Sequence, residues 1–425
     1  MTSTQPTKRM IVPDVARGLS LLGIALANIT SAWIVTSDRT ASYFGGILRD
    51  HLMVPNMWDQ VTVIIAALFF HMRGLPMFST LLGFGVGLIA MSLWRRRFPV
   101  GAAKRVIVKR YAFLMLFGAL HCLFLFYGDI MLFYGAAGMI IAAMLTLSDK
   151  VILRIAYILL GISLFFGLIM GIVGFFIPQL AGNVTMTPED IGMYSGIDSY
   201  GSLLLFQLFM LVVQFFNIIP SLFLLFPVML IGFVWARRGV LSDVRAHQRE
   251  LNIWVFIGIG VILLIGLPWG LAEIDFLPAQ WSAGFMMLNS FFGVLTGPAF
   301  LALLALMLQG VQEKIWNGVS TPWYLWAFAA LGKRSMSGYV AQSVLFLMIV
   351  YPFTLNIGPE YGAFGQSVIA FLVWLFTLVL ACMLETMNVP GPLEWVHRRL
   401  AYGKTRRAEL PKRYEQQQPP AGPTA

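Results

Sequence analysis

RYAFLMLFGALHCLFLFYGDIMLFYGAAG, residues Arg110 to Gly138, decides the fold. It is apolar almost throughout, yet His121 stands in its middle and Asp129 at a glycine break beyond it. In hydrocarbon an ionisable side chain is costly, so one held inside a span marks a functional position by default. The rest of the chain reads as a helical shell around that exception.

The 425 residues are 59% hydrophobic and only 11% charged, with a mean hydropathy of +0.80. Soluble domains do not carry so little charge over such a length, and apolar runs of about 20 residues recur along the chain. The short alternating strands of a transmembrane barrel are absent. The fold class is therefore an all-α polytopic membrane protein of about ten transmembrane helices, with both termini cytoplasmic. Residues 1–403 read as one transmembrane domain. Residues 404–425 read as a charged, then Gln/Pro-rich tail, expected to be disordered.

The net charge of +10 lies at the ends of the apolar runs. That is the positive-inside pattern, so it points to a bilayer and not to nucleic acid. Cys122 and Cys382 both fall in spans, which leaves no disulfide framework and no CxxC metal site; no metal is expected. Asp14 and Arg17 interrupt the pattern of a cleavable signal, so the first span, about Gly18 to Thr36, is expected to stay. Val61 to Phe70 is about half the length a crossing needs. Read as re-entrant or interfacial, it keeps Arg95–Arg97 inside. Arg237 and Arg406 then face the cytoplasm too, with Ser195 and Glu273 outside. Pro220 and Pro227 break the long run from Gly201 to Ala236.

On this topology His121 lies about two-thirds of the way to the outer surface. It is either a general base that takes a proton from an attacking hydroxyl or a helix–helix hydrogen bond. Asp129 either caps the following helix or pairs with His121. An unbroken helix would hold the two about 12 Å apart, so pairing requires the chain to fold back at Gly128. His71 and Arg73 flank the short segment, where the arginine either holds an anionic substrate group or snorkels to the interface. His51 is an ordinary solvated residue of the external segment.

Asp14, Arg17 and Asn28 form a polar stripe leading inward from the cytoplasmic end of the first span. In GKRSMSGYVAQS, Gly332 to Ser343, the residues Ser335, Tyr339 and Gln342 recur at helical spacing. Lys333 and Arg334 there either meet the phosphates of a nucleotide-like donor or merely anchor the helix. There is no Walker loop, HExxH or nucleophile elbow.

Together PDVARGLSLLGIALANI, FSTLLGFGVGL, the Arg110–Gly138 stretch, GKRSMSGYVAQS and GPLEWVHRRLAYGK resemble the YeiB-like family of bacterial membrane proteins, a domain family of unknown function. Arg73 stands where that family usually has Lys, and Gly338 where Asn is usual. The Asp14-x-x-Arg17-Gly18 opening is similar to that of the wider transmembrane acyltransferase superfamily. The resemblance implies a cell inner-membrane enzyme moving an acyl group from cytoplasmic acyl-CoA, acetyl-CoA most simply, to a hydroxyl or amine acceptor outside. The acceptor class is a sugar or envelope glycolipid. Under this reading His121 and Asp129 are catalytic, and His71, Arg73, Asn28, Tyr339 and Gln342 bind substrate. Asp14, Arg17, Lys333, Arg334 and Ser335 hold the CoA. The rival is a transporter or permease, which fits the broken helices and the same buried polar groups. A structural or partner-binding membrane protein is a third reading.

Overall fold

The computed structural model describes residues 9–34, 56–180, 197–405 and 407–409. His51, Ser195, Arg406 and the tail from residue 410 lie outside the described residues. The chain begins with α1 (Val12–Asn28), α2 (Met57–Phe69), α3 (Gly74–Arg95), α4 (Val100–Phe124), α5 (Met131–Ala143) and α6 (Asp149–Leu180). Then come α7 (Tyr200–Leu224), α8 (Phe226–Arg238), α9 (Gln248–Val261), α10 (Leu267–Glu273) and α11 (Ser282–Phe292). The last are α12 (Thr296–Trp316), α13 (Trp323–Lys333), α14 (Ser335–Val350), α15 (Ala363–Thr386) and α16 (Pro392–Tyr402).

Eight stretches among the described residues are helical, long and apolar enough to cross a membrane, and Met131–Thr146 and Ser335–Val350 are shorter apolar helices. Together these account for the ten crossings read from the sequence. Several helices turn their largest apolar side chains outward: Leu205, Phe216, Phe256 and Leu264 are all more than 70% exposed. Water would not tolerate such a girdle, and lipid requires one. The protein is a multi-pass membrane protein.

One end of the bundle is basic. There Arg237 stacks on Trp94 at the end of α3 and pairs with Asp149, while Lys104 donates to the Ala143 carbonyl. Arg9 and Arg17 at the start of α1 lie at the same end, because α1 and α3 run antiparallel. Gly23 faces Gly74, and Arg17 faces Gly85. Arg95–Arg97 and Arg237 therefore share an end, as the charge pattern requires. Glu273, bonded to Trp269 Nε1 and to the Ser282 hydroxyl, sits at the far end of the α9–α10 rod.

The short segment after residue 56 enters from the opposite end. Asp59 Oδ1 accepts the N–H of Phe364 in the first turn of α15, Ile64 packs at Gly270, and Ala67 at Gly266. The chain turns at Phe70–Arg73, with Met72 at φ 55°, and α3 carries on toward the basic end. So α2 is the first arm of a broken span. Arg73 holds the break: wholly buried, it donates to the carbonyls of Leu68, Met72 and Ala67 and to Asn289 Oδ1. It thus satisfies the orphan carbonyls at the end of α2, which lipid could not do.

Packing is very close between α3 and α8, and equally so between α1 and α13, where a Cβ on Gly332 would sit 1.8 Å from the Asp14 carbonyl oxygen. A Cβ on Gly83 would sit 1.8 Å from the Met229 carbonyl oxygen, so only glycine lets the two backbones approach there. This contact and the α1–α13 contact hold the helices that wall the central cavity.

Candidate functional site

The sequence Phe126-Tyr127-Gly128-Asp129 ends α4 and turns the chain back, so that α5 runs antiparallel against it. Gly118 on α4 has no room for a side chain because Leu132 N and Asp129 Oδ1 lie against it. The fold-back brings together what an unbroken helix would separate. His121 Nδ1 and Asp129 Oδ2 are 2.7 Å apart, with side chains 2% and 0% exposed. The two atoms are not aligned as a straight hydrogen bond, so the contact is a close polar approach. Asp129 also caps: its Oδ1 accepts the Leu132 N–H at 2.7 Å. Both alternatives for this residue therefore hold at once.

The second ring nitrogen, His121 Nε2, lies 2.8 Å from Ser343 Oγ on α14, and both side chains are buried. The ring of Tyr339, one turn earlier on α14, packs 4.9 Å from the His121 ring, and its hydroxyl points at the Gly128 carbonyl. Hydroxyl, imidazole and carboxylate thus stand in a row, the order that nucleophilic acyl transfer uses. Ser343 is the residue that sequence reasoning missed. The signal was its position four after Tyr339 and eight after Ser335, on one helical face. Gln342, chosen instead, points away and donates to Thr377 Oγ1.

From the basic end a cavity of about 330 Å³ leads toward this row. Arg9, Arg17, Arg110, Lys333 and Arg398 line it against only Asp14 and Glu394, and its inner part is apolar and ends at Ile130, Tyr134 and Tyr339. A wider groove of about 810 Å³ adjoins it, sharing Arg9, Lys333, Glu394 and Arg398 and adding Arg334 and Arg407. Of the residues expected at a donor site, Asp14, Arg17, Lys333 and Ser335 line the cavity. Asp14 is divided between Arg9 and Arg17, at 2.8 and 3.3 Å. Arg334 lies on the groove but is tied to Glu385 at 2.6 Å and to the Val389 carbonyl, and the other oxygen of Glu385 pairs with Lys333. Tyr339 reaches the inner end. Asn28, half-buried at the end of α1, lines neither space, nor do His71 and Arg73 at the α2–α3 break. Among the described residues no three His, Cys, Asp or Glu stand close enough to hold a metal.

The cavity is roofed by α16, built from GPLEWVHRRLAYGK. Glu394 anchors it by accepting the N–H groups of Met336 and Ser337 at the start of α14. His397 Nε2 donates to the Arg110 carbonyl at 2.8 Å, and Tyr402 accepts from Arg110 Nη1. Burial and then Arg110 hold the Arg398 guanidinium below its ordinary value, the mark of a cation with too little negative charge nearby. Burial, with Arg110 second, lowers His397 from 6.5 to about 4. The folded state thus takes up that proton less readily than the unfolded chain, and stability falls as the pH drops from 6.5 toward about 4. Thermal unfolding in detergent across that window should show the decline. His397→Gln, which keeps a donor for Arg110, should flatten it; an unchanged slope in the variant would assign the acid sensitivity elsewhere.

The family comparison bears on the C-terminal part of the chain. Residues 235–404 match the family model described as "Protein of unknown function (DUF418)". The match takes in α13, α14 and α16, with Ser343, but not the α4–α5 pair that carries His121 and Asp129. Over 442 aligned residues, 95% of this chain and 97% of the other, the protein is 24% identical to the uncharacterized protein YxaH of Bacillus subtilis. No solved structure matches. The chain is thus a polytopic membrane protein whose residues 235–404 are similar to the DUF418 family.

Proposed function

We propose that the protein is a membrane acyltransferase that takes an acyl group, acetyl in the simplest case, from acyl-CoA at the basic end. A hydroxyl or amine acceptor receives it from the opposite end. The observation that carries this reading is the cation-lined cavity whose apolar part reaches Tyr339, the ring that packs 4.9 Å from the His121 ring. A CoA ester has the complementary shape: phosphates for the arginines and lysine of the mouth and groove, and a thin arm for the narrow part. His121, held by Asp129, supplies the base at the thioester. At the opposite end a vestibule of about 150 Å³, lined by Trp33, Tyr127, Asp198, Tyr351 and Asn356, suits the flat face and hydroxyls of a sugar or envelope glycolipid. With the positive-inside rule, the basic end is cytoplasmic and the membrane is the inner membrane of a bacterium.

Calorimetric titration of the purified protein with acetyl-CoA tests the donor half. Binding is expected, and Arg17→Gln combined with Lys333→Gln should weaken it about tenfold or more, the worth of one or two phosphate contacts. Full affinity in the double variant would reject this placement. Failure of acetyl-CoA to bind the native protein would reject the acyltransferase reading.

A further inference from the structure

We infer that Ser343 is an acyl-carrying nucleophile, so that the acyl group crosses the protein as an ester on Ser343 rather than passing directly from donor to acceptor. This rests on the acyltransferase reading above and deepens it. Both nitrogens of His121 are engaged, Nδ1 by Asp129 and Nε2 by Ser343. The hydroxyl whose proton His121 is placed to take is therefore that of Ser343. A base within hydrogen-bond reach of the nucleophile, itself oriented by a third group, is the arrangement that activates serine. A serine that served only to tie α14 to α4 would need no carboxylate behind the imidazole.

Position along α14 supports the same assignment. Ser343 is eight residues from Ser335 and seven from Val350, so about 12 Å and 10 Å of helix lie on its two sides. Ser335 and Tyr339 line the donor cavity, and Val350 lines the vestibule at the other end. A group anchored midway lets two substrates that never share a compartment react in turn at one atom. In the first step Ser343 Oγ bonds the thioester carbonyl carbon and its proton passes to His121 Nε2. The C–S bond then breaks, and the CoA sulfur leaves with the proton returned from Nε2. In the second step the acceptor hydroxyl gives its proton to Nε2 and attacks the Ser343 ester. The Ser343–acyl bond breaks, and Oγ recovers the proton. No oxidant, metal or further reactant is required.

The test needs no acceptor. An ester on Ser343 predicts that the purified protein exchanges labelled CoA into acetyl-CoA with nothing else present, and that peptide mass spectrometry finds the acetyl group on Ser343. Ser343→Ala should lose the exchange by about 10³-fold or more, as removal of a triad nucleophile does. Ser343→Cys, which keeps a nucleophile of similar size, should retain the acyl adduct. Acetyl-CoA that binds with normal affinity but gives neither exchange nor adduct would overturn the inference and leave the acyltransferase reading standing. So would wild-type exchange in Ser343→Ala, or an acetyl group found on His121. Absence of acetyl-CoA binding would remove both together.

Discussion

His121→Gln should lower acetyl transfer from acetyl-CoA, followed in membrane vesicles, by about 10²–10⁴-fold, the usual worth of a positioned base. Its folding and donor affinity should stay near those of the native protein. Glutamine is the informative replacement because of what stands behind the ring. Asp129 is fully buried, and removing its partner outright leaves a carboxylate with only the Leu132 N–H. Breaking such a pair by His121→Ala is expected to cost about 3–5 kcal/mol of stability as well as the rate. A structural histidine predicts that stability and activity fall together in both variants. A catalytic one predicts that they separate in His121→Gln, with thermal unfolding near normal and transfer nearly gone. A fully active, fully stable His121→Gln protein would leave the catalytic assignment without support, and the transporter reading would move ahead.

The spans were legible because they are apolar runs, most of them closed by Arg or Lys, and that pattern follows from lipid exclusion. His121 was legible for the same reason, as the exception in such a run. Asp129 was legible only conditionally. Whether it caps or pairs depends on the turn at Gly128, and the turn depends on α5 packing back against Gly118 and Met115. Ser343 could not be paired with His121 from periodicity. The two are 222 residues apart, and helical spacing tells which side chains share a face but not which helix that face meets. The same limit applies to Arg73. Its charge suggested a substrate group, whereas the structure commits it to the carbonyls that the α2–α3 break leaves open. The basic cavity was the easiest part to outline, since Arg17 and Lys333 lie at span ends. The roof over it was not foreseen, because α16 reads in isolation as a charged segment after the last crossing.

Asp129→Asn separates the two roles of the carboxylate and should cost the most rate for the least structure. Oδ1 accepts the Leu132 N–H at 2.7 Å, while Oδ2 faces His121 Nδ1 at 2.7 Å. Asparagine caps a helix about as well as aspartate, so thermal stability should change little. It has only one oxygen, however. If that oxygen keeps the cap, the amide N–H₂ faces Nδ1, which must then be the unprotonated nitrogen. The proton moves to Nε2, where it donates to Ser343 Oγ instead of receiving a proton from it. The base is thereby disabled without being moved, and in serine protease triads the same change lowers kcat by about 10⁴. A loss of that order in acetyl transfer, with unfolding near normal, is the expected result for Asp129→Asn. Asp129→Ala should lose the cap in addition and unfold earlier. If Asp129→Asn instead transfers acetyl groups at close to the native rate, the carboxylate serves only to start α5, and the imidazole has no orienting partner.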